Sequence, residues 1–515
     1  TLLLGVVILV TIFYQIYNFL FGKPCPNFPN GPPRLPFVGS YLFMLMINSK
    51  HLHLAALKLG EFYKTKILGM YLSNFPTVVL NDYDDVKEMY NRTDFDGRPD
   101  LMLARLREPS FNKRGIFFAD GPDWHTQRRF FLRNLRDYGF GRRFNELEIE
   151  AHHELSNWID MLKYGAKYEH ENEIIDKNGC ALVPHLFLIP SPNIFLQVLF
   201  LERFARNENQ AALYETSKNV LKFFRYSDDY GTIVSIVPWI RHIFPKLSKY
   251  NILRETAMDS YDFIKKLVDR HAENYDENIQ NSFIDLYLKE AQKHEPVNEE
   301  TRFSYQYDQL VSGCLDFFIP ASAGSPMQMA FMVRRLLQYP HVMTKIQNEI
   351  DEVVGNGRLP GLDDRINLPY TEAFIRETMR IDTMVASGLA HTALKDTQLH
   401  GYDIPKGTIF MSTLYQIHLQ ESVWGDPLNF RPERFLDERT GKLCLSKDKS
   451  LPFGAGKRLC AGETHARNSI FLIMSALLQN FTLQVPDDVK KFDFDSVITG
   501  INRSPPDFRV KLVAR

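Results

Sequence analysis

One ten-residue stretch constrains this chain more than any other: Phe453-Gly454-Ala455-Gly456-Lys457-Arg458-Leu459-Cys460-Ala461-Gly462. At this chain's own composition, the spacing F-x-x-G-x-x-x-C-x-G is expected by chance on the order of 0.001 times. Its glycines let backbone lie flat against a large ligand and take positive φ. A helix is expected to start just after Cys460, where its free N–H groups and dipole would stabilise a thiolate. An anionic sulfur in such a loop suits the ferric iron of haem, and Arg458 is placed to pair with a haem propionate. Phe453, Gly454, Gly456, Arg458 and Cys460 are therefore candidate cofactor contacts, with Cys460 the metal ligand.

Nothing else in the composition competes with that reading. The five cysteines, Cys25, Cys180, Cys314, Cys444 and Cys460, are odd in number and show no C-x-x-C spacing. This argues against a disulfide framework or zinc site and for a reducing compartment. There is no H-E-x-x-H, and no G-x-G-x-x-G follows a strand, so the chain carries no evident dinucleotide fold of its own. A net charge of −1 gives no sign of a nucleic-acid partner. Residues 1–22 carry no charge and reach across roughly the ~30 Å hydrocarbon core of a bilayer. They end in aromatics suited to an interfacial belt, and are read as a transmembrane anchor rather than a cleaved signal peptide. Residues 23–40 hold six prolines and read as a stiff, extended hinge. Residues 41–515 then form one catalytic domain.

Hydrophobic spacing supplies the coarse architecture. Lys66–Met70 and Thr77–Leu80, flanking Ser73-Asn74, predict a hairpin. Helical periodicity dominates from about 83 to 355, and it is clearest at Leu196–Phe204, Met258–Ala272, Gln309–Leu337 and His341–Val354. Short strands are expected near 387–410, a loop-rich stretch over 421–456, a helix over 462–480 and a strand at Phe508–Val513. The fold class is mainly α with small β-sheets. Residues 231–245, too short to span a bilayer and broken by Pro238, read equally as a buried loop or as a second, shallow membrane contact.

With these residues in view, the chain resembles the cytochrome P-450 family over nearly its whole length. Glu377-Thr378-Met379-Arg380 matches the family's E-x-x-R helix and Phe430-Arg431-Pro432-Glu433-Arg434-Phe435 its P-E-R-F element, in the family's order before the cysteine loop. The resemblance implies a salt-bridged structural triad of Glu377, Arg380 and Arg434 behind the haem. It also implies propionate contacts from Trp124 and Arg128, which fit W-x-x-x-R, and from His391. The proline hinge, the helix start at Pro340 and the closing SPPDFRVKLVAR resemble microsomal members, with an arthropod cast. Such members sit on the endoplasmic reticulum membrane with the catalytic domain in the cytosol. They oxidise lipophilic small molecules using electrons from an NADPH-dependent flavoprotein reductase, with a b-type cytochrome as a further donor. The basic residues Arg128, Arg129, Arg133, Arg136, Arg142 and Arg143, offset by Asp137, are the candidate reductase face.

The chain departs from the family on the central helix. Where the family carries A/G-G-x-D/E-T-T/S, this sequence reads Pro320-Ala321-Ser322-Ala323-Gly324-Ser325. The acid position is Ala323 and the threonine position Gly324, leaving Ser322 and Ser325 as the nearby hydroxyls and the candidate catalytic residues. Pro320 and Pro326 each delete a backbone bond inside an expected helix. Three functions are compatible with an intact cysteine loop and a substituted relay. They are monooxygenation of a hormone-like or xenobiotic molecule, isomerisation or dehydration of a pre-oxidised substrate, and non-catalytic haem binding. Leu103–Phe117, Gly313–Ser325, Met384–Leu389 and Ile498–Asn502 are the candidate pocket walls, largely apolar and small.

Overall fold

In the computed structural model, residues 2–140, 145–276, 282–294 and 305–515 are described, with side chains from Val6 onward and excepting those of 145–147. Helices make up most of the body, and prolines open several of them: Gly121–Leu135, Pro190–Phe200, Pro340–Val353 and Pro369–Asp382 carry proline in the first turn. There the missing N–H has no intrahelical partner to lose. The expected helix at Leu196–Phe204 lies earlier, at Pro190–Phe200, because Leu201 turns left-handed at φ +54° and ends it.

The strands β1 (Ile67–Leu72) and β2 (Phe75–Leu80) form the hairpin, turning at Ser73 with φ +56°. Strand β2 pairs in parallel with β7 (Ile409–Ser412), and β7 antiparallel with β4 (His391–Thr392), giving the order β1-β2-β7-β4. A second sheet, β3 (Cys180–Val183), β11 (Phe508–Ala514) and β8 (Phe481–Gln484), closes the far side. Two small hairpins complete the set, β5 (Thr397–Leu399) with β6 (Tyr402–Ile404), and β9 (Ile498–Thr499) with β10 (Arg503–Ser504).

A long central helix organises the core. Tyr307–Ile319 and Ser325–Gln338 are α-helical, joined without a break by a π-helical turn over Pro320–Gly324. The wider turn resolves the proline conflict. The Ser325 N–H reaches back five residues to the Pro320 carbonyl, so the ladder passes over the missing donor instead of stopping. One step further on, Pro326 has no N–H to offer Ala321, and the Ala321 carbonyl accepts the Ser191 hydroxyl at 2.7 Å. The helix Glu463–Asn480 is likewise buried over its second half, from Ser469 to Gln479, as expected of a helix inside the core.

The N-terminal helix Leu2–Phe21 is exposed from Val6 through Phe19. Among the described residues, no helix is long and apolar enough to cross a membrane. The proline-rich segment is docked against the body, but it is not extended throughout: the chain turns at Cys25–Phe28 and doubles back between Leu35 and Gly39, with Phe37 at φ +65°. The Gly69 N–H donates to Asn30 O at 3.0 Å, the Asp403 N–H to Asn27 O at 3.2 Å, and Phe28 is buried. Residues 231–245 divide between both readings. Val234–Val237 are buried, whereas Trp239, Ile243 and Phe244 are exposed, as is Leu247 just beyond the segment.

Candidate active site

The cysteine loop is shaped by two left-handed glycines, Gly454 at φ +72° and Gly456 at φ +67°. A Cβ on Gly456 would lie 1.8 Å from the Tyr90 carbonyl oxygen, so no larger residue fits there. The Cys460 N–H donates to Phe453 O at 2.9 Å and closes the loop. Cys460 is exposed in area, yet enough protein surrounds its sulfur for burial to dominate its titration, as for a group facing an internal recess. Burial pushes the thiol up; the Gly462 N–H and the Arg128 charge oppose it but do not prevail. Among the described residues, no group of three His, Cys, Asp or Glu side chains is placed to hold a metal.

Beside the loop stands a buried wall of cations. The Arg458 guanidinium lies over the Trp124 ring at 3.5 Å and that of Arg128 at 5.8 Å. Arg458 donates to the carbonyls of Asp96 at 2.7 Å and Ala119 at 2.9 Å, and Arg128 to that of Leu459 at 2.5 Å. Arg98, only 6% exposed, donates to the Ala390 carbonyl at 2.7 Å. Burial, reinforced by repulsion from Arg98, pushes Arg458 down to about 8, and burial pushes Arg98 down to about 10. A guanidinium relieves such stress by acquiring an anion rather than by giving up its proton. His391, buried, shares Nδ1 with the Phe95 carbonyl at 2.7 Å. Burial, with Arg98 and Arg458 beside it, drives its pKa well down. Trp124 Nε1 and Arg458 Nη2 are buried donors without a partner among the described residues. Two unsatisfied donors inside a cationic wall beside a lone cysteine fit the two carboxylates of a haem. Arg98, in Asp96-Gly97-Arg98-Pro99, escaped the sequence reading; an arginine fixed by glycine and proline neighbours was the signal available.

Behind the loop, the Glu377 carboxylate accepts both Arg380 Nε and Nη2 at 2.8 Å, Arg434 Nε at 3.1 Å and the Arg431 N–H at 2.9 Å. Glu377 and Arg380 are fully buried. Arg434 also donates to Asp426, at 2.9 Å from Nη1 to Oδ1, and to the carbonyls of Trp424, Asp426 and Asn429. The three side chains thus form one connected, satisfied network.

On the central helix, Ser322 is fully buried and its hydroxyl donates to the Phe318 carbonyl at 2.8 Å. Ser325 is half-buried and makes no side-chain hydrogen bond among the described residues. The Leu103–Phe117 wall is clipped to the same helix. Asp316 accepts Arg107 Nη1 at 2.5 Å and the N–H groups of Ile116 and Phe117 at 2.7 and 2.8 Å. Ile501 packs with Leu103, Leu106 and Phe223, which brings two of the expected pocket walls together. Of the basic stretch, Arg129, Arg133 and Arg136 are exposed; Arg142 and Arg143 lie outside the described residues.

A cysteine thiol in a glycine loop, set beside cations short of anions, defines a haem-thiolate protein. Comparison with known sequences sharpens this. The profile of the cytochrome P-450 family matches residues 29–512. Farnesoate epoxidase of Bombyx mori is 31% identical over 511 residues, covering 98% of this chain and 97% of that protein. Cytochrome P-450 2J3 of Rattus norvegicus is 30% identical over 93% of this chain and 90% of its own. Cytochrome P-450 2B19 of Mus musculus is 31% identical over 99% of each. The chain belongs to the cytochrome P-450 family, is an enzyme of it, and takes haem as its cofactor.

Proposed function

We propose that this enzyme is a membrane-bound monooxygenase of a lipophilic small molecule, hormone-like or xenobiotic, fed by an NADPH-dependent flavoprotein reductase and a b-type cytochrome. The observation that carries the reading is the pairing of an intact cysteine loop with Trp124 Nε1 and Arg458 Nη2, the two unpartnered donors in the cationic wall. Bound haem supplies the oxygen-activating chemistry. The chain's residues do the rest. Cys460 ligates the iron, with Phe453, Gly454 and Gly456 shaping the loop. Arg98, Trp124, Arg128, His391 and Arg458 hold the propionates, and Glu377, Arg380 and Arg434 keep the support rigid. Apolar walls at Leu103, Leu106, Phe223 and Ile501 exclude water and orient the substrate.

The exposed N-terminal helix supports an anchor over residues 1–22, followed by the hinge at 23–40 and the catalytic domain at 41–515, which we place on the cytosolic side of the endoplasmic reticulum. The exposed Trp239, Ile243, Phe244 and Leu247 adjoin it: Phe37 of the proline segment meets Trp239 edge-on at 6.0 Å, which suits a second membrane contact. Arg129, Arg133 and Arg136, with Arg142 and Arg143, are the proposed reductase face. Epoxidation, named for the Bombyx mori relative, is one oxidation within this class. Turnover with purified reductase and NADPH tests the reading; no NADPH consumption with any lipophilic substrate defeats it.

One observation favours a second reading, isomerisation or dehydration of a pre-oxidised substrate. Neither Ala323 nor Gly324 offers an acid or hydroxyl, and the Ser322 hydroxyl is committed to Phe318. Of the two serines in this stretch of the central helix, that leaves Ser325 for a proton relay.

A further inference from the structure

Pro326 leaves the Ala321 carbonyl short of a helical donor, and the substitute comes from another helix. Ser191 stands in the first turn of Pro190–Phe200, whose residues from Pro190 to Leu196 are all buried. Its hydroxyl is the one that donates to Ala321 O at 2.7 Å. One turn along, Phe195 stacks on Phe317 with ring centroids 6.2 Å apart. Ser191 and Phe195 are four residues apart, as are Phe317 and Ala321, so one face of this helix meets one face of the central helix. The serine is also held in place from behind. Two residues on, the Asn193 carboxamide accepts the Phe204 N–H at 2.8 Å, and donates to Phe204 O at 3.0 Å and to the Glu154 carboxyl at 2.8 Å.

A π-turn takes one more residue than an α-turn, and each residue added rotates the side chains that follow by about 100°. The turn over Pro320–Gly324 therefore decides which of Ser322, Ala323, Gly324 and Ser325 faces the candidate haem site. The bond from Ser325 N–H to Pro320 O closes that turn. The next donor in the same ladder, five residues beyond Ala321, is the N–H that Pro326 lacks. Ser191 supplies it from outside. Without that hydroxyl the Ala321 carbonyl becomes an unpaired buried acceptor, a penalty relieved by reverting toward α geometry or by drawing in water. We infer that Ser191 is a positioning residue that acts through Ala321 to hold the π-turn, and so sets how Gly324 and Ser325 are presented to the haem. This deepens the proposed function and rests on its placing of the haem beside that turn.

The test uses haem-loaded protein, chemically reduced under carbon monoxide, with two readings. One is the infrared C–O stretch, and the other is hydrogen exchange of the peptide spanning residues 320–330. Ser191→Ala should shift or split the C–O band and speed that exchange about tenfold, the scale of one buried hydrogen bond lost. In a Pro326→Ala background, which returns an N–H to the ladder, the same serine change should leave both readings unmoved. A serine that only filled space would be missed equally in the two backgrounds, and equal effects overturn the assignment. Wild-type readings in Ser191→Ala overturn it as well. Should Ser191→Ala alone fail to take up haem, the double variant must load it; an equally empty double variant counts against the role. No reductase or turnover enters these readings, so their failure is distinct from that of the monooxygenase reading, which NADPH consumption tests.

Discussion

The two faces of the candidate haem site are built on opposite terms. On the cysteine face, charge is concentrated and held in fixed geometry. Glu377 alone accepts four hydrogen bonds, and the loop is locked by the contact of Gly456 with Tyr90. On the central-helix face, polar groups have been withdrawn from the cavity. Ala323 and Gly324 bring none, the Ser322 hydroxyl folds back to Phe318, and the carbonyl that Pro326 leaves unserved is taken by Ser191. If positions 322–325 handle protons as proposed, holding the cofactor and handling protons are separable demands on this fold.

Breaking the cysteine face should have the largest effects. Cys460→Ser should abolish the long-wavelength Soret band of the reduced carbon monoxide complex, because no other side chain replaces the sulfur; a band that persists removes Cys460 as the ligand. Glu377→Ala should come next. It strands Arg380 and Arg434 without their carboxylate, and breaking a buried pair costs about 3–5 kcal/mol. The expected product is mostly haem-free protein, measured as haem per chain after purification. Full incorporation with only a changed Michaelis constant would place Glu377 in substrate binding instead.

A milder variant separates cofactor holding from packing. Trp124→Phe keeps a ring beneath Arg458 but deletes the unpartnered Nε1 donor. Since that donor has no protein partner, the haem-free protein should melt unchanged. The loaded protein should lose haem to excess apomyoglobin about tenfold faster, the scale of one buried hydrogen bond. Equal destabilisation of both forms would mean that Trp124 serves packing alone.

The contrast between the faces also explains what could be read from sequence. The cysteine loop is local: ten consecutive residues contain the glycine turns, the ligand and Arg458, so linear spacing suffices. The prediction of helix through Gln309–Leu337 was likewise legible from period alone. The means of passing Pro320 and Pro326 was not, because the compensation is a π-turn aided by Ser191, 130 residues away. Arg98 was missed for the same reason: it matters through what lies beside it in space, and its glycine and proline neighbours were the one local signal. The docking of the proline segment depends in the same way on backbone bonds to Gly69 and Asp403.

The smallest expected effect, and the one that bears most on function, lies on the central-helix face. If protons reach the oxygen site only through Ser325 or passing water, a monooxygenase built this way should lose reducing equivalents as peroxide. Gly324 has the helical φ of −61° and ordinary van der Waals room for a Cβ, so neither the backbone nor the first side-chain atom opposes a threonine. Ala323 is fully buried, so a glutamate there must reach the relay to avoid standing as an unpaired buried charge. Ala323→Glu with Gly324→Thr should therefore raise product formed per NADPH consumed, with the single Gly324→Thr giving the smaller part of the gain. Tight coupling in wild type, worsened by the double substitution, would mean that protons travel by a route independent of positions 323 and 324. Should neither protein consume NADPH with reductase while both turn over a hydroperoxide, the withdrawn polar groups are the mark of an isomerase or dehydratase, for which a proton relay to dioxygen has no use.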